Sequence, residues 1–250
     1  MGNENLFLAQ ITDMANWVKK NRSQKNTNFL DLSKQALARD VLKDFPDIKF
    51  SFLGGYKGAE RKIAIVYPSF LSESDLNVPL AALRITGAFD EKTLSHRDFL
   101  GSLIGLGISR EKIGDILIAS NLCQVLVMDD IKPYILNSLF KVGKFNVSIE
   151  EMDLEDLILP EKRVKEIKTT VSALRLDAVA SSAFGMSRSK VLPYIRGERV
   201  QVNWKTITKP AYALNSGDVI SIRGRGRAVL KEINGKSQKG RIKILVLRYL

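Results

Sequence analysis

The feature that most constrains the fold is the switching of hydrophobic periodicity between residues 78 and 152. VPLAALRITG (78–87) has the density of a strand. SHRDFLGSLIGLG (95–107) has helical spacing, with Ser95 as N-cap and Gly105 or Gly107 as its end. IGDILIA (113–119) and QVLVMD (124–129) are short apolar runs split by Ser120-Asn121, which predicts a strand pair. KPYILNSLFKVG (132–143) predicts a helix with Pro133 in its first turn, and KFNVSIEEM (144–152) alternates as a strand does. The order βαββαβ is that of a ferredoxin-like sandwich. RNA-recognition motifs share this order, as do many unrelated proteins, so it selects no function by itself.

The flanks differ in character. Leu6, Ile11, Met14, Trp17 and Val18 recur at helical spacing, and residues 30–45 predict a second helix ending before Pro46. IKFSFLGGYKGAERKIAIVYP (48–68) alternates on both sides of a glycine-rich turn, the pattern of a hairpin. SESDLN (72–77) has linker composition, and the acidic SIEEMDLEDLILPE (148–161) suggests a connector. In the last third an extended segment (163–174) precedes two short helices, LRLDAVASSAFG and SRSKVLPYIRG. Strands RVQVNWKTI and GDVISIRG follow, then a basic hairpin turning near Asn234 and Gly235. An α+β chain of three parts is expected: a small helical and hairpin domain over 1–75, a ferredoxin-like, RRM-like domain over 76–160, and a third over 170–250.

Charge is segregated along this plan. Residues 171–250 hold 16 Lys/Arg against 4 Asp/Glu, while the first 170 hold 23 of each sign, so the whole net charge of +12 sits in the last third. A solvated surface mixes signs, so this asymmetry points to a polyanionic partner. The single cysteine, Cys123, excludes an internal disulfide and a Cys-rich zinc site. No apolar run is long enough to span a membrane, and the start MGNENLFLAQ has neither a signal-peptide pattern nor, with Leu6 where Ser or Thr is needed, a myristoylation pattern. A cytosolic protein without membrane attachment is expected.

Within the basic third, Leu176, Val179, Ala180 and Ala183 form one apolar helical stripe, with Arg175, Asp177, Ser181 and Ser182 off it. Ser187 suits the start of the next helix, and Arg188 and Lys190 beside that start make a phosphate site. Extended, residues 199–205 would send Val200, Val202 and Trp204 one way and Arg199, Gln201, Asn203 and Lys205 the other. Arg223, Arg225 and Arg227 would likewise share a face, with two glycines letting a phosphate backbone approach. With Arg196, these cations and amides are the candidate RNA contacts. Arg97, Arg110 and Lys112 are a candidate second contact. Trp204 fits packing better than base stacking.

Specific motifs narrow the reading. Arg175-Leu176-Asp177, Ser187-Arg188, Gly197, Val200 to Asn203, and Gly217-Asp218 with Ile220 resemble the RNA-binding domain named after ribosomal small-subunit protein S-four. Asn203-Trp204-Lys205 and the Arg223–Arg227 run, together with GGYKGAER (54–61) and HRDFLGSLIGLGISREKIGD (96–115), resemble the YlmH-type proteins of bacteria and plastids over nearly the whole chain. Pro193 inside the second helix and Gly197, one position early and followed by Glu198, depart from the pattern. The resemblance implies structured RNA as partner, ribosomal RNA or tRNA, at the large subunit with peptidyl-tRNA, and a role in rescuing stalled particles. It implies no catalysis, cofactor or metal, and a monomer in the bacterial cytosol or of plastid origin. The alternative is an RNA-modifying enzyme resembling pseudouridine synthases, whose signature Asp would be Asp177, or one using His96 and Asp98. A lone histidine without a nucleophile is weak support for it.

Overall fold

The structure, a computed structural model, describes residues 2–90, 92–119, 121–160 and 164–249, excluding the side chain of Asn3. Its contacts divide the chain into two compact units, residues 1–160 and 161–250. No described helix is long and apolar enough to cross a membrane.

The first unit opens with α1 (Gly2–Asn21), β1 (Lys25–Asn26), α2 (Leu32–Leu42), β2 (Ile48–Leu53) and β3 (Ile63–Pro68). α1 buries Ile11, Met14, Ala15 and Val18, whereas Leu6 and Trp17, expected on the same stripe, stay exposed. Asp31 caps α2 by accepting from the Lys34 amide at 2.9 Å. β2 and β3 pair antiparallel from Ile48↔Pro68 to Leu53↔Ile63, as the alternation predicts, and β1 adds to the free edge of β3.

The same unit continues as β4 (Leu80–Gly87), α3 (His96–Gly105), β5 (Ile113–Ala119), β6 (Leu122–Met128), α4 (Lys132–Ser138), β7 (Lys141–Val142) and β8 (Phe145–Met152). The sheet order β5-β6-β4-β8-β7, antiparallel throughout, is the ferredoxin-like arrangement with one extra edge strand. α3 is closed by a capping box, Ser95 with Asp98, and by Gly107 at φ +84° just past its end. α4 stops five residues short of the predicted Gly143, because residues 141–146 turn through Gly143 (φ +57°) into the β7–β8 hairpin. The predicted β5–β6 turn falls on Ser120, which lies outside the described residues.

β4 and β6 are apolar on both faces because both are covered. Ala81, Leu83, Ile85, Cys123, Val125 and Val127 pack under α3 and α4 through Phe99, Leu103 and Ile135. On the other face Leu80, Ala82, Leu126 and Met128 pack against Ile63, Ile65 and Tyr67 of β3. The acidic 153–158 segment, expected as a connector, folds back over this face. Its anchor is the fully buried Gln124, which donates to the Ile158 carbonyl at 2.7 Å and accepts from its amide at 2.8 Å. A buried amide so satisfied costs little and fixes the strap in one register.

The second unit runs β9 (Val164–Val171), α5 (Leu176–Phe184), α6 (Arg188–Arg196), β10 (Val200–Val202), β11 (Lys205–Thr206), β12 (Val219–Ile222), β13 (Gly226–Lys236) and β14 (Ile242–Tyr249). One antiparallel sheet, β11-β10-β12-β13-β14-β9, carries α5 and α6 on one face around Val179, Val191, Ile195, Val200, Ile220 and Val246. The basic hairpin turns at Ser237–Arg241, not near Asn234 and Gly235. Gly235 (φ +70°) instead falls in a register shift within the β13–β14 ladder.

Candidate nucleic-acid interface

The RLD and SR motifs meet at one buried carboxylate. Asp177 is 4% exposed, yet it sits in the first turn of α5, off the predicted apolar stripe. Its oxygens accept from Arg175 Nε at 3.2 Å and Nη2 at 3.3 Å, and from Arg188 Nη2. The amides of Leu176 and Asp177 donate to the carbonyls of Tyr212 and Pro210, so the loop before β12 completes the start of α5. The carboxylate thus holds two half-exposed guanidinium groups at the surface.

α6 starts at Ser187, as its N-cap character predicts. Ser187 Oγ accepts from the Lys190 amide at 3.3 Å, so the helix is capped internally, and Arg188 is drawn to Asp177. Lys190 remains exposed. Pro193 is accommodated within the helix, and the far end explains the displaced glycine. Arg199 N donates to Tyr194 O at 2.9 Å and Glu198 N to Ile195 O at 3.3 Å, a Schellman closure with Glu198 (φ +57°) in the left-handed position. Gly197 is required for another reason: a Cβ there would meet the Pro193 carbonyl at 2.9 Å.

The predicted strand through residue 207 breaks into a tight hairpin. Asn203 (φ +48°) and Trp204 (φ +64°) occupy a two-residue turn of the I′ kind between β10 and β11. Asn203 Nδ2 donates to Asp218 at 2.8 Å, and its Oδ1 accepts from the Val219 amide at 2.9 Å, so its side chain clamps this turn to the next strand. Trp204 is half-buried beside the turn and does not alternate into the core with Val200 and Val202. Lys205 pairs with Val202 and so leaves the face that Gln201 occupies. Gln201, Ser221 and Arg227 instead form a row across β10, β12 and β13, on the side away from α5 and α6.

The Arg223–Arg227 run is a turn closed by Ile222↔Gly226, with Gly224 (φ +80°) in it, so its arginines do not line one extended face. Pairing of Val200 with Ile222 places this turn beside Arg199, whose carbonyl accepts from the Arg223 amide at 2.9 Å. There a residue that sequence reasoning missed becomes the centre of the patch. Tyr194 has the Arg199 Cζ 4.8 Å and the Arg225 Cζ 5.8 Å from its ring centroid, and its hydroxyl accepts from Arg225 Nη2 at 3.3 Å. The hydrogen bond from Arg225, with its charge, lowers the phenol pKa. Arg196 stands exposed in the last turn of the same helix. An aromatic on the edge of the Val191/Ile195 stripe, flanked by Arg196 and Arg199, was the available signal.

In the first unit Arg97 is exposed, but Arg110 and Lys112 are occupied. Arg110 donates to the Ile113 and Gly114 carbonyls, and burial, with Arg61 nearby, pushes its pKa down to about 10. Lys112 pairs with Asp130. GGYKGAER forms a latch: Asp115 accepts from the Tyr56 hydroxyl and from the Glu60 and Arg61 amides, while Arg61 donates to the Ile113, Phe29 and Arg110 carbonyls. Asp98 is held in the Ser95 capping box and does not pair with His96. Among the described residues no group of three or more His, Cys, Asp or Glu side chains is placed to hold a metal ion.

Comparisons with known proteins agree with this organisation. Family models match residues 3–71 (the YlmH N-terminal domain), 72–156 (a putative RNA-binding domain in YlmH) and 174–220 (the S4 domain). The ribosome-associated protein quality control protein P2 of Bacillus subtilis is 36% identical over 241 residues, 96% of this chain and 93% of that protein. A solved structure, the cell division protein YlmH from Streptococcus pneumoniae, is similar in fold with a TM-score of 0.54 at 20% identity, over 62% of this chain and 94% of that one. The carboxylate-held arginines thus lie in an S4 domain that follows two YlmH domains, and the chain belongs to the YlmH family.

Proposed function

We propose that this chain is a non-catalytic RNA-binding factor. It contacts ribosomal RNA or tRNA, and it acts on large subunits that retain peptidyl-tRNA after stalling. The observation that carries the reading is the convergence of Arg199 and Arg225 on Tyr194, with Arg223 in the same turn and Arg196 exposed on the same helix, in a unit that holds the chain's whole positive excess. Fixed guanidinium groups bind phosphate bidentately, and a tyrosine held among them offers a stacking surface to an unpaired base. The ribosome-associated quality control assignment of the Bacillus subtilis relative supports the setting. The division into parts near residues 75 and 160–170 belongs to the same proposal, as do cytosolic location and a monomeric state.

Two measurements test it. Sedimentation of lysate should place the protein on large-subunit particles bearing tRNA, and its absence from all ribosomal fractions would defeat the setting. Filter binding to purified large subunits and to unfractionated tRNA should weaken steeply between 50 and 200 mM salt. The double variant Arg196→Glu/Arg225→Glu should lower affinity at least about tenfold, with a salt slope flatter by roughly 2. Salt-independent binding would refute the phosphate-dominated mechanism.

A further inference from the structure

In RNA-recognition motifs the sheet face away from the helices carries the aromatics on which bases stack. That face is unavailable in this chain's ferredoxin-like part. β3 covers it with Ile63, Ile65 and Tyr67, and the 153–158 strap lies across it, pinned by Gln124. A contact made by this part has to use its other side.

The helical side offers an open groove of about 740 Å³ between α3 and the turn joining α4 to β7. Phe140 stands at its edge with 66% of its surface exposed. Arg97 and Lys141 line the groove, and Lys144 follows in the same turn. Among the described residues none of these three cations forms an ion pair, and Lys144 rests over the Phe145 ring at 5.4 Å. The groove's one acid, Asp98, has its carboxylate directed to the Ser95 amide and hydroxyl.

This concentration is out of keeping with its surroundings. Residues 72–156 hold 14 Asp/Glu against 8 Lys/Arg, and Lys112 and Lys132 are paired with acids elsewhere. Unpaired cations collected on an acidic domain are complementary to a polyanion, not to a typical protein surface. On the exposed side of α3, Gly101 and Gly105 meet nothing within 4 Å of a built Cβ, so packing does not demand them. Bare helix backbone lets a phosphodiester chain approach closely.

We propose that this groove is a second RNA contact. Phosphates lie along Arg97, Lys141 and Lys144, and an unpaired base stacks on Phe140. The proposal rests on the RNA-binding reading of the chain and adds a face to it that the usual sheet-face mode would miss.

The test uses the full chain with purified large subunits and unfractionated tRNA as probes, scoring two variants in parallel. Arg97→Glu/Lys141→Glu/Lys144→Glu should lower affinity about tenfold and flatten the salt slope by roughly 3. Phe140→Ala should lower affinity by about fivefold or more. With p-benzoylphenylalanine in place of Phe140, light should join residue 140 to RNA. Wild-type affinity in both variants, or a crosslink to protein alone, overturns the groove. If only Arg196→Glu/Arg225→Glu loses binding, the C-terminal reading stands and the groove falls. If only the groove variants lose it, the C-terminal reading falls. Failure of the wild type to bind either probe removes both.

Discussion

Asp177→Ala is the substitution that best tests how the C-terminal interface is built. The carboxylate is 4% exposed and accepts from Arg175 at 3.2 and 3.3 Å and from Arg188. A hydrogen bond to a charged group contributes about 1.5–3 kcal/mol, and breaking a fully buried pair costs about 3–5. The arginine side chains are 44% and 50% exposed, so they regain hydration once released, which places the loss near 2 kcal/mol. The chain has two tryptophans, Trp17 in the first unit and Trp204 in the second. A Trp17→Phe background therefore leaves Trp204 as reporter of the second unit in urea unfolding. The midpoint should fall at unchanged slope, and RNA affinity should fall with it, because both guanidinium groups lose their orientation. A loss below about 0.5 kcal/mol would refute the claim that this carboxylate organises the RLD and SR motifs.

Three further outcomes follow from local geometry. Glu198→Gly should stabilise the second unit by about 0.5–1 kcal/mol, since Glu198 sits at φ +57°, whereas Gly197→Ala should destabilise it; equal effects in urea unfolding would refute the closure described. Cys123 is fully buried and burial pushes its thiol pKa up, so a thiol reagent should react only at the rate of unfolding, and fast labelling of native protein would contradict the packing. The Asp98 carboxyl, held below its usual pKa by hydrogen bonds from Ser95, should titrate higher in Ser95→Ala by NMR. Its stabilising contribution is present above the unfolded-state pKa and is lost as pH falls through the lowered folded value.

Local pattern determined much of this protein. The βαββαβ order, the Ser95 cap, the β2–β3 hairpin and the apolar stripe of α5 each depend on neighbours a few residues away, so spacing alone carries them. The segregation of positive charge is likewise a property of the chain before it folds. Tertiary structure decided what depends on pairing across distance. Asp177 became buried where loop 210–212 docks on the start of α5, and the Arg110 side chain was taken up by the Ile113 and Gly114 carbonyls. Positive φ at Asn203 and Trp204 turned a predicted strand into a hairpin, which separated Gln201 from Lys205 and sent the Asn203 amide to Asp218 and Val219. Strand order brought Arg225, thirty-one positions away, onto Tyr194. Alternation tells which side a residue faces only while the strand continues; where it turns, the partner strand decides.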